Sequence, residues 1–496
     1  MARFRSSFEK RVFQGARWAI VYGSYEGVEQ FAINELQRMA QFLLPYVIQV
    51  LPADTDPGAI ADDHLLVEGT RENNAFIRNL AAEGRIDIPA KPGGYAVACM
   101  ASPLKPDRKI AVIAGHDPQG VLYGVEDFNT RVLGVDHFRD SQHERHRALD
   151  DLPAFSRSDY PRIDNRGIWT WGYVIYDYRR FIDNMARLRM NLLTTWNDCP
   201  PVNARQIADY AHARGVRIVM GFHWGWGTKG LDLGNAEHVR LLRDDVLQEY
   251  ETNYAHLPLD GIYFQTLTET GETAYGGVPI VKLACDAVNT IGRALLERHP
   301  GLWIQFGLHA TSILENYVYL ENLDPRITIT WEDAGTIPYA YRPYATDTVA
   351  PSINTPEKTI EYSLKLARLR GGREFAMVPK GFSNLDWTNE FENHGPYLLG
   401  ERCRPFVRDR HKTLRAHWDL VNGLWMANYP HAARFFREIL AAGPRTTTAT
   451  ALVEDGLFEA EIHRSVALLA HVLWNPHEDE QKLPVLAASP YYRMIV

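Results

Sequence analysis

Cysteine is scarce and scattered. The 496-residue chain has four, Cys99, Cys199, Cys285 and Cys403, with no CxxC spacing, which excludes a disulfide framework or a zinc knuckle as the basis of the fold. Long apolar runs are missing too. No stretch of eighteen apolar residues occurs, so no membrane partner is expected. The opening segment, MARFRSSFEKRVFQGARWAIVYG, is basic but lacks the apolar core of a secretory signal, and a cytoplasmic location is the expectation. Basic residues are outnumbered, 53 Lys and Arg against 61 Asp and Glu. The resulting net charge of -8 argues against a nucleic-acid partner, which would require clustered cations.

What remains is an ordinary globular composition, with 46% hydrophobic and 23% charged residues. A chain this long exceeds the size at which one core stops growing, so two or three domains are expected. Twelve Trp and 24 Tyr make aromatics slightly abundant. Such rings stack on sugar faces or fill cores, and composition alone does not separate the two.

The stretch Asp260 to Glu272, DGIYFQTLTETGE, organises the rest. Its apolar run reads as a buried parallel strand, and the acids where it stops would lie at the strand's C-terminal edge. Before it, residues 1–150 read as a small α/β domain, with strands at Ala19–Tyr22, Tyr46–Leu51, His64–Val67, Tyr95–Met100 and Ile110–Ala114. Helices are predicted over Glu26–Leu44, Asn73–Ala82 and Gln119–Val132 from apolar residues at helical spacing. Ser141–Tyr160 is polar and reads as a linker.

From residue 160 strand and helix signals alternate. Strands are predicted at Asn165–Trp171, Asn191–Trp196, Val216–Phe222, the Asp260 stretch, Trp303–Leu308, Ile327–Trp331 and Phe375–Pro379, with helices between them. This is the period of an α/β fold of the (β/α)8 TIM-barrel type, here over residues 160–430. The eighth strand is weakly marked, and Leu420–Trp425 is the candidate. Residues 431–496 read as C-terminal helices packed on the barrel.

At the strand ends, aromatic rings, carboxylates and imidazoles gather: Trp171, Asn197, Asp198, His223, Trp224, Glu269, Glu272, His309, Trp331, Glu332, Asp333, Lys380 and Asp386. Catalytic groups of this fold come from these positions. Glycoside hydrolysis needs two carboxyl groups facing each other across the scissile bond. Glu269 from strand four and Glu332 or Asp333 from strand six come from non-adjacent strands, which sets them across a cleft. Glu332 and Asp333 are neighbours, so only one points inward. Asp198 either contacts sugar or fixes its own loop. Glu272, beyond Gly271, is a loop or substrate contact, and Asp386 opens an acid- and ring-rich loop after strand seven.

Five segments carry a family likeness. The early FAINELQRM helix with IAGHDPQGVLYGVEDF (Ile113–Phe128) resembles the N-terminal α/β domain that precedes the catalytic barrel in β-N-acetylhexosaminidases and xylan α-glucuronidases, and LGVDHFRD (Leu133–Asp140) resembles the latter more closely. Thr268–Glu272 is similar to the Ser-Glu-Gly segment ending strand four of the glucuronidases, and RGVRIVMGFHWGWG (Arg214–Gly227) to their third-strand segment. The resemblance implies that Glu269 is the general acid and that the base comes from Glu332, Asp333 or Asp386. Hexosaminidases using the substrate acetamide carry adjacent acids on strand four. Thr268–Glu269–Thr270 departs from that pattern.

The sequence therefore leads to an exo-acting glycoside hydrolase removing a terminal sugar, a uronic acid being one option, from an oligosaccharide without metal or organic cofactor. Trp171, Trp224 and Trp331 would be stacking walls, and Asn197, His223 and His309 hydroxyl contacts. Lys229 and Lys380 lie at the rim where a uronate carboxyl would need a cation. The alternatives are a non-catalytic glycan-binding protein on a degenerate barrel, and a metal-dependent sugar isomerase using Asp198, His223, Glu269 and His309. A homo-oligomer is compatible with everything above.

Overall fold

A computed structural model describes residues 13–133, 144–197, 199–225, 227–265, 273–309, 313–332, 353, 355–380, 395–453 and 458–494. The chain divides into two compact units, Met1–Tyr160 and Pro161–Val496.

In the first unit, strands β1 (Trp18–Tyr22), β2 (Gln49–Pro52), β3 (His64–Thr70), β4 (Tyr95–Ala101), β5 (Lys109–Gly115) and β6 (Phe155–Asp159) form one sheet in the order β2-β1-β3-β5-β4-β6. β4 runs antiparallel to both its neighbours, and the other pairs are parallel. One face packs Ala19, Val21, Leu65, Val67, Ala98 and Val112 with Ile77 and Leu80 of the helix Ala75–Ala82. Phe31, Leu36, Met39 and Leu43 of the helix Gly27–Leu43 are buried at helical spacing, as its apolar pattern predicts. Asn74 and Asp117 cap the helices Ala75–Ala82 and Pro118–Asp127. The segment expected to be a linker is ordered at its end. β6 is an edge strand, and its alternating exposed residues give it a polar composition.

The second unit holds a closed barrel of eight parallel strands: β7 (Asn165–Trp171), β8 (Leu192–Trp196), β9 (Arg217–Gly221), β10 (Gly261–Gln265), β13 (Trp303–His309), β14 (Ile327–Glu332), β15 (Phe375–Val378) and β16 (Thr447–Leu452). The intervening β11 (Ala274–Tyr275) and β12 (Val278–Pro279) form a small separate ribbon. The expected α/β barrel with a preceding small sheet domain is thus the observed fold. Inward-facing Trp169, Leu192, Trp196, Val219, Tyr263, Val378 and Leu452 fill its interior. Asp177, Asn235 and Thr355 accept main-chain hydrogen bonds at the N-termini of the helices Tyr178–Arg187, Ala236–Asn253 and Pro356–Arg368.

The eighth strand needs correction. Leu420–Trp425 lies inside the 38-residue helix Arg404–Ala441, where Trp418, Val421 and Trp425 are buried at positions i, i+3 and i+7. The ring is closed instead by β16, which pairs with β15 on one side and β7 on the other. Its sequence TTATAL is fully buried but carries few large apolar side chains.

Candidate active site

The C-terminal end of β14 carries the best-defined cluster. Glu332 is 4% exposed and points into the ring. Its Oε1 accepts hydrogen bonds from the Tyr263 hydroxyl at 2.5 Å and from the Gln265 amide. Its Oε2 faces His309 Nε2 at 3.1 Å and Lys380 Nζ at 2.9 Å. Tyr263 and Gln265 stand two residues apart on β10, so both face inward. His309 pairs with Glu332 in the β13–β14 register. Gly307 makes the arrangement possible, because a Cβ there would overlap the Tyr263 hydroxyl.

Burial alone would raise the Glu332 pKa, but His309, Lys380 and the hydrogen bonds from Tyr263 and Lys380 outweigh it and hold the group at about 2. Glu332 is consequently a fixed anion with both oxygens engaged. It suits holding His309 and Lys380 in place better than exchanging a proton near neutral pH.

Aromatic rings line the interior beside this cluster. Trp169 makes edge contacts with Trp171 (5.4 Å between centroids) and Tyr263 (5.7 Å), and Trp196 with Trp171 (6.0 Å) and Tyr263 (6.3 Å). Trp171 is half-buried, whereas Trp169 and Trp196 are buried. Of the three expected stacking walls, Trp171 is the one with exposed ring surface.

The other two are placed elsewhere. Trp224 is 0% exposed and stacks face to face on Phe264 at 3.6 Å, in the row continued by Phe306. Trp331 is 1% exposed and packs against Tyr362 of the helix Pro356–Arg368. Both rings occupy the layer between barrel and helices. A residue next to inward-facing Glu332 on a strand must point outward, which accounts for Trp331. Asn197, expected to meet substrate hydroxyls, is also buried. It accepts from the Tyr397 hydroxyl at 2.6 Å and donates to Thr195 Oγ1 at 3.1 Å. Gly172 leaves the space for this contact, since a side chain there would strike both Asn197 and Tyr397.

His223 and Lys229 line a cavity of about 620 Å³ beyond β9, together with Phe222, Leu231, His238 and Pro396. Its described lining includes none of Glu332, His309 and Lys380. Asp198, Glu269, Glu272, Asp333 and Asp386 lie outside the described residues. Among the described residues no group of three potential metal ligands gathers, and no helix is long and apolar enough to cross a membrane.

Sequence reasoning missed Tyr263 and Gln265. A signal was present, because Gln265 is the one amide in an otherwise apolar and aromatic strand, and a buried amide needs a partner.

No protein-family model and no curated protein matches the chain. Solved structures similar to it include the following two. The structure of CpGH84D aligns with TM-score 0.40 and 10% identity over 96% of this chain and 90% of that one. The structure of CpGH84B aligns with TM-score 0.42 and 12% identity over 96% of both.

Proposed function

We propose that the protein is an exo-acting glycoside hydrolase whose site opens at the C-terminal ends of the barrel strands. The observation that carries this reading is the Glu332 cluster: a buried, ionised carboxylate at a barrel strand end, holding an imidazole and an ammonium group beside a tryptophan-lined interior. A polar sugar pocket requires that combination of fixed hydrogen-bonding groups and ring surface. In this reading Glu269 is the general acid. Asp386 is its facing carboxylate, because Glu332 is committed to its four partners and its neighbour Asp333 takes the opposite direction. Glu332 is then a positioning residue, while His309, Lys380 and Trp171 contact the sugar.

The test is a panel of aryl glycosides, uronosides included, assayed with wild type, Glu269→Gln, Asp386→Asn and Glu332→Gln. Glu269→Gln and Asp386→Asn should each lower kcat by about 10² to 10⁴ with unchanged melting temperature. Glu332→Gln should lower activity and stability together. Wild-type turnover in both Glu269→Gln and Asp386→Asn overturns the acid/base assignment. Sugar binding without turnover by wild type would point to the glycan-binding alternative instead.

A further inference from the structure

A second cleft lies on the same face of the barrel. The loop after β7 leads into the helix Tyr178–Arg187, so that helix begins on the side where the parallel strands end. There Asp177, Arg179 and Arg180 meet Glu401, Arg402 and Arg404 around a cleft of about 340 Å³. Four guanidinium groups thus face two carboxylates, in a chain whose acids outnumber its bases.

The two acids are already engaged. Asp177 accepts from the Arg180 main-chain N–H at 3.2 Å as the helix cap, and Glu401 pairs with Arg179 at 3.1 Å. Arg180, Arg402 and Arg404 form no ion pair among the described residues. The Arg402 guanidinium lies over the Phe406 ring, 5.6 Å away.

The placement also breaks a local rule. Arg179 and Arg180 stand in the first turn of one helix and Arg404 opens another, the 38-residue helix Arg404–Ala441, and neither helix has an acid in its first turn. Cations at helix N-termini oppose the macrodipole. Local rules broken without an internal gain mark functional sites. An anion in the cleft would reverse the sign of every one of these interactions.

The frame is rigid. Asp177 and Glu401 form an antiparallel bridge, Tyr178 N–H donates to the Gly400 carbonyl at 3.1 Å, and Arg402 N–H donates to the Tyr176 carbonyl at 2.7 Å. Beneath it, Oε1 of the buried Glu459 accepts from the N–H groups of Tyr176 (2.6 Å) and Asp177 (3.1 Å). Arginines displayed on a fixed frame lose less freedom when they bind.

The geometry points to an anion subsite: Arg180, Arg402 and Arg404 take a carboxylate or sulfate carried by a sugar unit outside the one being cleaved, so that the substrate is an acidic oligosaccharide. This rests on the glycoside hydrolase reading for the word substrate, whereas the binding itself can be measured without turnover.

The experiment is titration calorimetry of the full chain with three tetrasaccharides, one of uronic acid units, one carrying sulfate esters and one neutral. Wild type should bind at least one acidic probe about tenfold or more tighter than the neutral one, with affinity falling as salt rises. The better acidic probe identifies the group. Arg402→Gln/Arg404→Gln, both exposed positions, should abolish the preference at unchanged melting temperature, and Arg180→Gln should reduce it. Equal binding of all three probes by wild type overturns the proposal, as does a preference that survives in the double variant. An acidic probe bound through these arginines but never cleaved would sink the hydrolase reading and leave the subsite standing. Cleavage with no charge preference would do the reverse.

Discussion

Two glutamates at the C-terminal ends of parallel strands make an instructive pair. Glu68 near the end of β3 and Glu332 at the end of β14 are both buried. Glu332 receives a phenol, an amide, an imidazole and an ammonium group, and is ionised far below neutral pH. Among the described residues neither carboxyl oxygen of Glu68 has a hydrogen-bond donor. Burial and then the nearby Glu29 push its pKa well above the ordinary value, and the Gly23 amide, bonded to the Glu68 main-chain oxygen, only partly offsets them. Equal burial therefore accompanies pKa shifts of opposite direction. Donors decide, and where a strand end collects donors a fold can keep a working charge inside.

The sharpest way to break this contrast is to delete the barrel carboxylate. Glu332→Ala leaves His309 and Lys380 facing each other without their anion, and should destabilise the second unit by about 3–5 kcal/mol. Tryptophan fluorescence in a denaturant titration reads this directly, since every tryptophan except Trp18 lies beyond residue 160.

Acid titration should show the next largest effect. Glu332 has a folded pKa of about 2 against an ordinary 4.5. Its contribution, on the order of 3 kcal/mol, is present above pH 4.5 and lost as pH falls from there through 2. Glu68 has the opposite sign. Its contribution is full below pH 4.5 and declines as pH rises toward its raised folded pKa. Hydrogen exchange of β3 and β14 across pH should show protection moving in opposite directions, and parallel movement would refute the opposed shifts.

Tyr263→Phe removes one donor to the Glu332 anion without changing the ring, and should cost about 1.5–3 kcal/mol in the same fluorescence titration. Glu68→Gln should be the mildest, within about 1 kcal/mol of wild type at neutral pH. It should also flatten the alkaline decline of the first unit, measured by exchange at β3.

Much of the barrel was legible because its strands announce themselves. IYF on β10, WIQFGL on β13 and ITITW on β14 are runs of branched and aromatic residues bounded by turns. β16 was hidden for the same physical reason in reverse. Thr447, Thr448, Ala449 and Thr450 fill the crowded ring with small side chains, while the large apolar residues around Leu420 serve a helix face. β6 was hidden by its edge position, which lets Ser156 and Ser158 stand at half-exposed or exposed places. The site was legible in part. Acids and imidazoles at strand ends could be picked out, but which face each residue takes depends on strand parity. That parity separates Glu332 from Trp331 and joins Tyr263 to Gln265.

The late position of β16 has a consequence for biosynthesis. Because the strand that seals β15 to β7 begins only at Thr447, a chain emerging from the ribosome carries seven barrel strands as an open sheet with two bare edges until the long helix and the residues through Leu452 have been made. Bare edges invite pairing with other chains. A nascent chain stalled before residue 447 should thus be the form most prone to aggregate and most dependent on chaperones.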